Sequence, residues 1–208
     1  MRTARAQSTT PAPSYTEEAV KIHTDGSSSA KRRDGGWAFV AKWGSLVRER
    51  YGSEEEGATN MTMEVTAILR AFEYVRPAPR RRLIVITDSE WTVKAMTKWW
   101  HQWKASGWRT ASGKEVANLP LLTRLKAAMD YHRKAGTEVS LVWVRGHSGV
   151  SGNERADFLA GQARIERLSN WDEKKDAKFC WCDNRRLYLP DPNHATVPKV
   201  LRGGHPSP

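Results

Sequence analysis

Leu83-Ile84-Val85-Ile86-Thr87-Asp88 is a continuous aliphatic run that ends in an acid. A strand with one wet face alternates apolar and polar residues, so an unbroken run predicts a central strand covered on both faces. Upstream, Met61, Val65, Ile68, Leu69, Phe72 and Val75 recur at helical spacing, with Asn60 or Thr62 as cap and Pro77 and Pro79 as stops. Before that helix, Val20, Ile22 and Thr24 alternate with Lys21 and His23, a half-buried strand closing at Asp25. Gly35-Gly36 opens a second strand over 37–43, and Gly44-Ser45 turns the chain into a third over 46–51, which together read as an antiparallel meander. Downstream, Ser89 caps a helix to about residue 100, and a second helix covers about 116–134 with Leu119, Leu122, Leu125, Ala128 and Met129 inward. A fifth strand over 138–144 and a last helix over 151–167 complete the order β-β-β-α-β-α-α-β-α. That order predicts an α/β (mixed α+β) fold, a five-stranded mixed sheet flanked by helices.

The ends of the chain read differently. Residues 1–18 have no hydrophobic period and contain Pro11 and Pro13, so they are expected to be a disordered tail before a folded domain over 19–167. Residues 168–208, with Pro190, Pro192, Pro198, Pro206, Pro208 and Gly203-Gly204, are expected to be a largely irregular extension whose Phe179, Trp181, Leu187 and Tyr188 could pack on the domain. In 208 residues, 34 Lys and Arg against 23 Asp and Glu leave a net charge of +11, which favours a polyanionic partner such as nucleic acid. No apolar stretch approaches the ~18 residues of a membrane span, and the Thr-, Ser-, Ala- and Pro-rich N-terminus is not expected to be a secretory signal. The two cysteines, Cys180 and Cys182, are too close in sequence for an ordinary intrachain disulfide and suit a reducing cytoplasm. Their spacing to His194 and His205 is irregular for a zinc site.

Four acids share a context. Asp25 and Asp88 end strands expected to be neighbours, Glu64 opens the helix that follows the meander, and Asp157 faces the same end from the last helix. Carboxylates at the ends of buried strands are costly unless something neutralises them, and a hard divalent cation does so. Converging oxygen ligands suit Mg²⁺, with Mn²⁺ as a substitute, over zinc. Two such ions can activate a water and stabilise the leaving oxygen in phosphodiester hydrolysis. His147 lies between Gly146 and Gly149 in a polar loop, unlike a packed core histidine, and imidazole titrates near neutrality.

Thr24-Asp25-Gly26-Ser27, Thr59-Asn60 followed by Glu64, Thr87-Asp88-Ser89, Gly146-His147 and Asn153-Glu154-Arg155-Ala156-Asp157 occur here in that order. The stretch at 107–114, Gly-Trp-Arg-Thr-Ala-Ser-Gly-Lys, followed by Val116-Ala117-Asn118-Leu119, completes a set over residues 21–164 that resembles type 1 ribonuclease H, the bacterial HI form. The resemblance implies the ribonuclease H-like fold and endonucleolytic cleavage of RNA in RNA–DNA hybrids, leaving 5′-phosphate and 3′-hydroxyl ends. It implies Asp25, Glu64, Asp88 and Asp157 as metal-binding catalytic acids holding two Mg²⁺ ions, and His147 as the mobile histidine of proton transfer or product release. It also implies a monomer with no membrane association.

A hybrid must be told from both other duplexes, and the 2′-hydroxyl is the handle on its RNA strand. Asn60 can both donate to and accept from that group and matches a position that reads RNA across the minor groove. Glu90 stands where the family often has Gln, and an ionised Glu can only accept. The resemblance further implies that Ser28 lies beside the scissile phosphate, that Thr59 helps hold a DNA phosphate and that Asn153 is a polar contact of the final loop. Segment 91–114 has no Asp or Glu and resembles the basic protrusion that grips the DNA strand, with Lys98, Lys104 and Arg109 for phosphates and Trp99 and Trp103 for deoxyribose. At least three of its five tryptophans are expected simply to pack. One departure stands out. Many relatives carry a Gly/Pro-rich turn with an Asn before Gly35-Gly36, whereas this chain has Ala30-Lys31-Arg32-Arg33-Asp34, cations that either meet phosphate or form a solvated hairpin tip. The rival readings are another nuclease or strand transferase of the same fold, opposed by the protrusion and the Gly-His loop, and a catalytically silent nucleic-acid-binding module, opposed by the presence of all four acids.

Overall fold

A computed structural model describes residues 19–55, 57–172 and 176. The expected N-terminal tail and the aromatic residues at 179–188 lie outside these residues, as do both cysteines. Strands β1 (Val20–Ser29), β2 (Asp34–Trp43) and β3 (Leu46–Glu54) form the antiparallel meander. Helix α1 (Asn60–Tyr74) leads to β4 (Arg82–Thr87), which pairs parallel to β1. Helix α2 (Glu90–Lys94) runs through a π-helical turn over Ala95–Trp99 into α3 (Trp100–Ala105). Helix α4 (Leu119–Lys134), strand β5 (Glu138–Trp143), parallel to β4, and α5 (Ser151–Glu166) follow. The sheet order is β3-β2-β1-β4-β5.

Helices α1 and α4 bury one face of the sheet. Ile22, Phe39, Ile68, Phe72, Leu83, Leu122, Leu125 and Met129 are fully buried there, at about 1.5–3 kcal/mol of transfer free energy each. Helix α5 covers the other face through a smaller cluster of Ala38, Val40, Ala156, Leu159 and Ala160. It lies over β1, β2 and β3. The expectation that β4 is covered on both faces is therefore corrected: the face of Leu83 and Val85 is buried, while Ile84 and Ile86 on the other stay half-buried.

Three local expectations shift. Strand β1 does not close at Asp25 but runs to Ser29, because β2 keeps pairing with it beyond Thr24, where its parallel partner β4 stops opposite Thr87. Asp25 thus sits at the rim of the parallel half of the sheet. The cap of α1 is Thr59: its hydroxyl accepts from the Thr62 amide (3.1 Å), while the Thr62 hydroxyl accepts from the Thr59 amide (2.8 Å). This reciprocal box leaves the Asn60 amide, already inside the helix, free for another partner. Helix α4 begins at Leu119, later than expected, because Asn118 takes a left-handed conformation (φ 56°) and Pro120 sets the first turn.

Beyond α5 the chain stays packed. Asn170 works as a surrogate strand residue at the open edge of β3. Its side-chain oxygen accepts from the Tyr51 amide (2.8 Å) and its backbone N–H donates to the Tyr51 carbonyl (3.1 Å). Trp171 then stacks edge-on to Trp37 and Phe39, with the Arg70 guanidinium over its ring, and Asp176 pairs with Arg50 at 2.9 Å.

Candidate active site

Gly26 brings the first two acids together. A Cβ there would lie 2.3 Å from the Glu64 amide nitrogen and 2.4 Å from the Met63 carbonyl carbon, so only glycine lets β1 touch the first turns of α1. The Asp25 carboxylate is 6 % exposed and accepts the Gly26 N–H at 2.6 Å. Glu64 is held on both oxygens. Asn60 donates to one at 2.7 Å and the Ser89 hydroxyl donates to the other at 2.5 Å. Ser89, expected only as a helix cap, makes no cap bond; its hydroxyl serves Glu64 and Thr92 instead.

Asp88 follows the last residue of β4. Its carbonyl accepts from the Glu90 amide (2.9 Å) and from the Trp143 indole N–H (3.1 Å). Its Oδ2 meets the Asn153 amide at 3.4 Å, and its Oδ1 is buried with no hydrogen-bond partner. A Cβ on Gly146 would stand 2.7 Å from that carboxylate and would push its Oδ2 aside, so glycine here leaves the Asp88 side chain its position. Asp157 projects from the second turn of α5 with 45 % of its side chain exposed, and its Oδ2 is 3.8 Å from Nδ1 of His147. His147 has a left-handed backbone (φ 50°) and an 82 % exposed side chain. Its loop is tied down where the Gly149 amide donates to Glu154 (3.0 Å). Helix α5 can approach this closely because Gly152 lies flat on the His23 ring, where a Cβ would come within 2.3 Å.

The electrostatics follow from crowding. The Asp25 carboxyl is pushed up to about 8, first by burial and then by Asp88, with Asp157 and Glu64 adding and the Gly26 N–H opposing. Glu64 is also raised, by burial and by Asp88, against the Ser89 hydrogen bond. Such mutual repulsion marks a functional site more often than a structural one. The all-oxygen donors, the shared repulsion and the orphaned Asp88 Oδ1 fit a hard divalent cation. As their side chains stand, no three of the described acids, histidines or cysteines are grouped closely enough to hold a metal ion together.

The remaining candidates divide. Thr59 and Asn60 are exposed beside Glu64, and Ser28 is half-buried on β1. Glu90 is exposed and paired with Lys94 at 2.8 Å. Asn153 is 3 % exposed and spends its amide on Asp88, so the structure sets it under the acid cluster rather than on the surface. Lys98 and Lys104 are exposed; Arg109, also exposed, donates to the Gly113 carbonyl (2.9 Å). Trp103, at 7 % exposure, and Trp100, at 8 %, are packing residues, while Trp99 is half-buried. Trp91, Trp99 and Trp103 pack within 6.2 Å of one another and line an open groove with Gln102, Ser106 and Arg109. Sequence reasoning missed Ser89 as a partner of Glu64 and missed Trp143. Trp143 carries no sequence signal for its role, because only the parallel register of β4 and β5 sets its indole against Asp88.

Residues 17–165 match the RNase H family. The chain belongs to that family. It is 43% identical over 151 residues to the ribonuclease H of Halorhodospira halophila, covering 72% of this chain and 95% of that one. It is 40% identical over 153 residues to that of Dechloromonas aromatica, covering 73% and 97%. Among solved structures it is similar to a type 1 RNase H with the type 2 active-site motif, at 27% identity and a TM-score of 0.60 over 74% of this chain and 75% of that one. The protein is accordingly a ribonuclease H, an endonuclease for the RNA strand of RNA–DNA hybrids. Enzymes of this family use divalent metal ions.

Proposed function

We propose that Asp25, Glu64, Asp88 and Asp157 hold two Mg²⁺ ions, with Mn²⁺ able to replace them, and that hydrolysis of the hybrid's RNA strand takes place on this cluster. The observation that carries the reading is Asp25: its carboxyl, beside three other acids, is raised to about 8, first by burial and then by Asp88, with Asp157 and Glu64 adding, so its anion is costly until cations arrive. When bound, the ions supply the Lewis acidity that activates water and stabilises the leaving 3′ oxygen. The protein's own groups do the rest. Asn60 and Ser89 fix both Glu64 oxygens, so Glu64 presents one orientation to the site. Trp143 and Asn153 fix Asp88 by backbone and side chain. His147, exposed and near Asp157, carries protons at the open rim. Asn60 and Ser28 meet the RNA strand, Thr59 a DNA phosphate, and Lys98, Lys104, Arg109 and Trp99 the DNA strand along the protrusion.

All four acids come from one chain, which supports action as a monomer, and the use of only two cysteines supports a cytoplasmic setting. No described helix is long and apolar enough to cross a membrane. The deciding experiment follows one labelled RNA strand alone, paired with RNA and paired with DNA. Cleavage confined to the hybrid, abolished by EDTA and restored by Mg²⁺, with 5′-phosphate products, is expected. Hybrid binding without cleavage would overturn the catalytic reading in favour of a silent binding module.

A further inference from the structure

The β1–β2 turn is built to present two cations. The Arg33 amide donates to the Ser29 carbonyl at 2.7 Å and closes the turn, with Arg33 in a left-handed conformation (φ 56°). The Arg33 carbonyl accepts the Ala58 amide at 3.3 Å. The turn is therefore pinned to the residue just before Thr59 and Asn60, and through them to Glu64. Three cations sit in this turn, but they are not equivalent. Arg32 pairs with the buried Asp34 at 3.1 Å. Asp34 also lies 3.7 Å from Arg164, whose Nε donates to the Ser27 hydroxyl at 3.0 Å. Arg32 is thus committed to holding the turn. Lys31 and Arg33 are exposed and make no ion pair among the described residues. Among the described residues the acids at the end of β3 pair elsewhere: Glu54 stands opposite Gly35, and Glu55, just past the strand, lies 3.9 Å from Arg167.

We infer that Lys31 and Arg33 form a second phosphate grip, engaging a backbone phosphate of the bound hybrid beyond the scissile one; this rests on the ribonuclease H reading of the acid cluster. The reach fits. Four strand residues separate Asp25 from Ser29, about 13 Å at roughly 3.3 Å per residue. At about 3.4 Å of helix axis per nucleotide in one strand, the turn can meet a phosphate up to about four nucleotides from the cleaved bond. The site takes a phosphodiester, on whichever strand faces the turn. The hybrid is then held by cations of the turn as well as by those of the protrusion, while the acids by themselves repel it.

The test uses the full chain in EDTA, so that the hybrid is bound and not cut. Binding is measured from about 50 to 200 mM salt for the native protein, for Lys31→Ser/Arg33→Asn, for Arg32→Ala and for Lys31→Arg/Arg33→Lys. Asn tolerates the left-handed backbone at position 33, so the first variant removes charge without strain. The charge-removing pair should lower the salt slope by about 1 if both cations share one phosphate and by about 2 if each neutralises its own, at roughly 0.9 per phosphate neutralised. Arg32→Ala and the charge-preserving pair should keep the native slope. Replacing single phosphates by neutral methylphosphonates on each strand in turn should weaken native binding at one or two positions outside the scissile one. The charge-removed variant should ignore those positions, and the strand that carries them identifies the contact. An unchanged slope, or an equal fall with Arg32→Ala, overturns the grip. Cleavage assays separate the two levels: a native enzyme that cuts the hybrid while the grip test fails loses only this inference, whereas a native enzyme that cannot cut it loses the underlying reading.

Discussion

The acid end of the sheet and the tryptophan-rich protrusion are the two regions that the proposed function assigns to the hybrid, and they are made in opposite ways. At the acid end, negative charge is concentrated and partly buried, and three of the four carboxylates have named partners: Gly26 for Asp25, Asn60 and Ser89 for Glu64, Asn153 for Asp88, whose backbone carbonyl Trp143 also holds. In the protrusion, positive charge is spread over exposed side chains, and the order lies in rings packed beneath them. Fixed, repelling acids give geometry at the expense of stability. Mobile cations give affinity that salt can screen. Chemistry that depends on ångström placement needs the first kind of site; a contact with a repeating polyanion is served by the second.

The comparison predicts unequal responses to substitution. Asp88→Asn should lower cleavage by at least about 10²–10³-fold, in the range for losing an electrostatic group at a reaction centre, while the thermal midpoint of the metal-free protein holds or rises, because one repelling charge has gone. Near-native activity in that variant would sink the acid cluster as the catalytic site. Gly26→Ala forces a Cβ into the backbone of α1 and should cost about 1–3 kcal/mol or more of stability by denaturant titration, with a further loss of activity as Glu64 is displaced. Neutralising Lys98, Lys104 and Arg109 together should leave stability almost unchanged and reduce the salt slope of hybrid binding by about 2–3. A full native slope would remove the protrusion from substrate binding. Trp143→Phe keeps the ring and loses one N–H, so its expected effect is the smallest, on the order of 1 kcal/mol, seen as a modest fall in cleavage with binding unchanged.

The same contrast appears in the response to pH. Asp25 has a folded pKa raised to about 8 from an unfolded value near 3.8, so its contribution to stability is complete at low pH and is lost progressively as pH rises toward 8. Glu64 shifts in the same direction. Buried His132, bonded through Nε2 to the Phe72 carbonyl at 2.9 Å, is lowered to about 4 from 6.5 by burial, so it takes stability away as pH falls through that interval. The two effects oppose below about 6.5. Between about 6.5 and 8 the site acids act without it, and the metal-free protein should lose stability as pH rises. Asp25→Asn should flatten that limb of the thermal-midpoint profile, and added Mg²⁺ should stabilise the native protein more at pH 8 than at pH 6.5. A limb unchanged in Asp25→Asn would refute the assignment of the shift to Asp25.

Much of this was legible in the chain because the relevant signals are local. Val20, Ile22 and Thr24 alternate, Leu83 to Val85 form an apolar run, and the spacing from Met61 to Val75 is helical, so the elements and their order could be read directly. The four acids were legible as a set because each sits beside a turn or a strand end. What was not legible depended on partners distant in sequence. Ser89 looks like a helix cap until Glu64, 25 residues earlier, takes its hydroxyl. Asn153 looks like a loop contact until α5 packs and turns its amide toward Asp88, 65 residues earlier. Trp103 looks like a free surface ring until it packs against Trp91 and Trp99 and is left 7 % exposed. Ile84 and Ile86 look fully covered until α5 settles over β1 to β3 and leaves them half-wet.

The sequence by itself determined the fold class and the family and pointed to four candidate acids, because periodicity, turn residues and short motifs are properties of neighbours along the chain. The tertiary structure alone decided how far the acids repel, which polar groups hold them and which cations of the β1–β2 turn are paired. Those are properties of distance and burial, and two carboxylates 63 residues apart, Asp25 and Asp88, acquire a shared electrostatics only when β1 and β4 lie side by side.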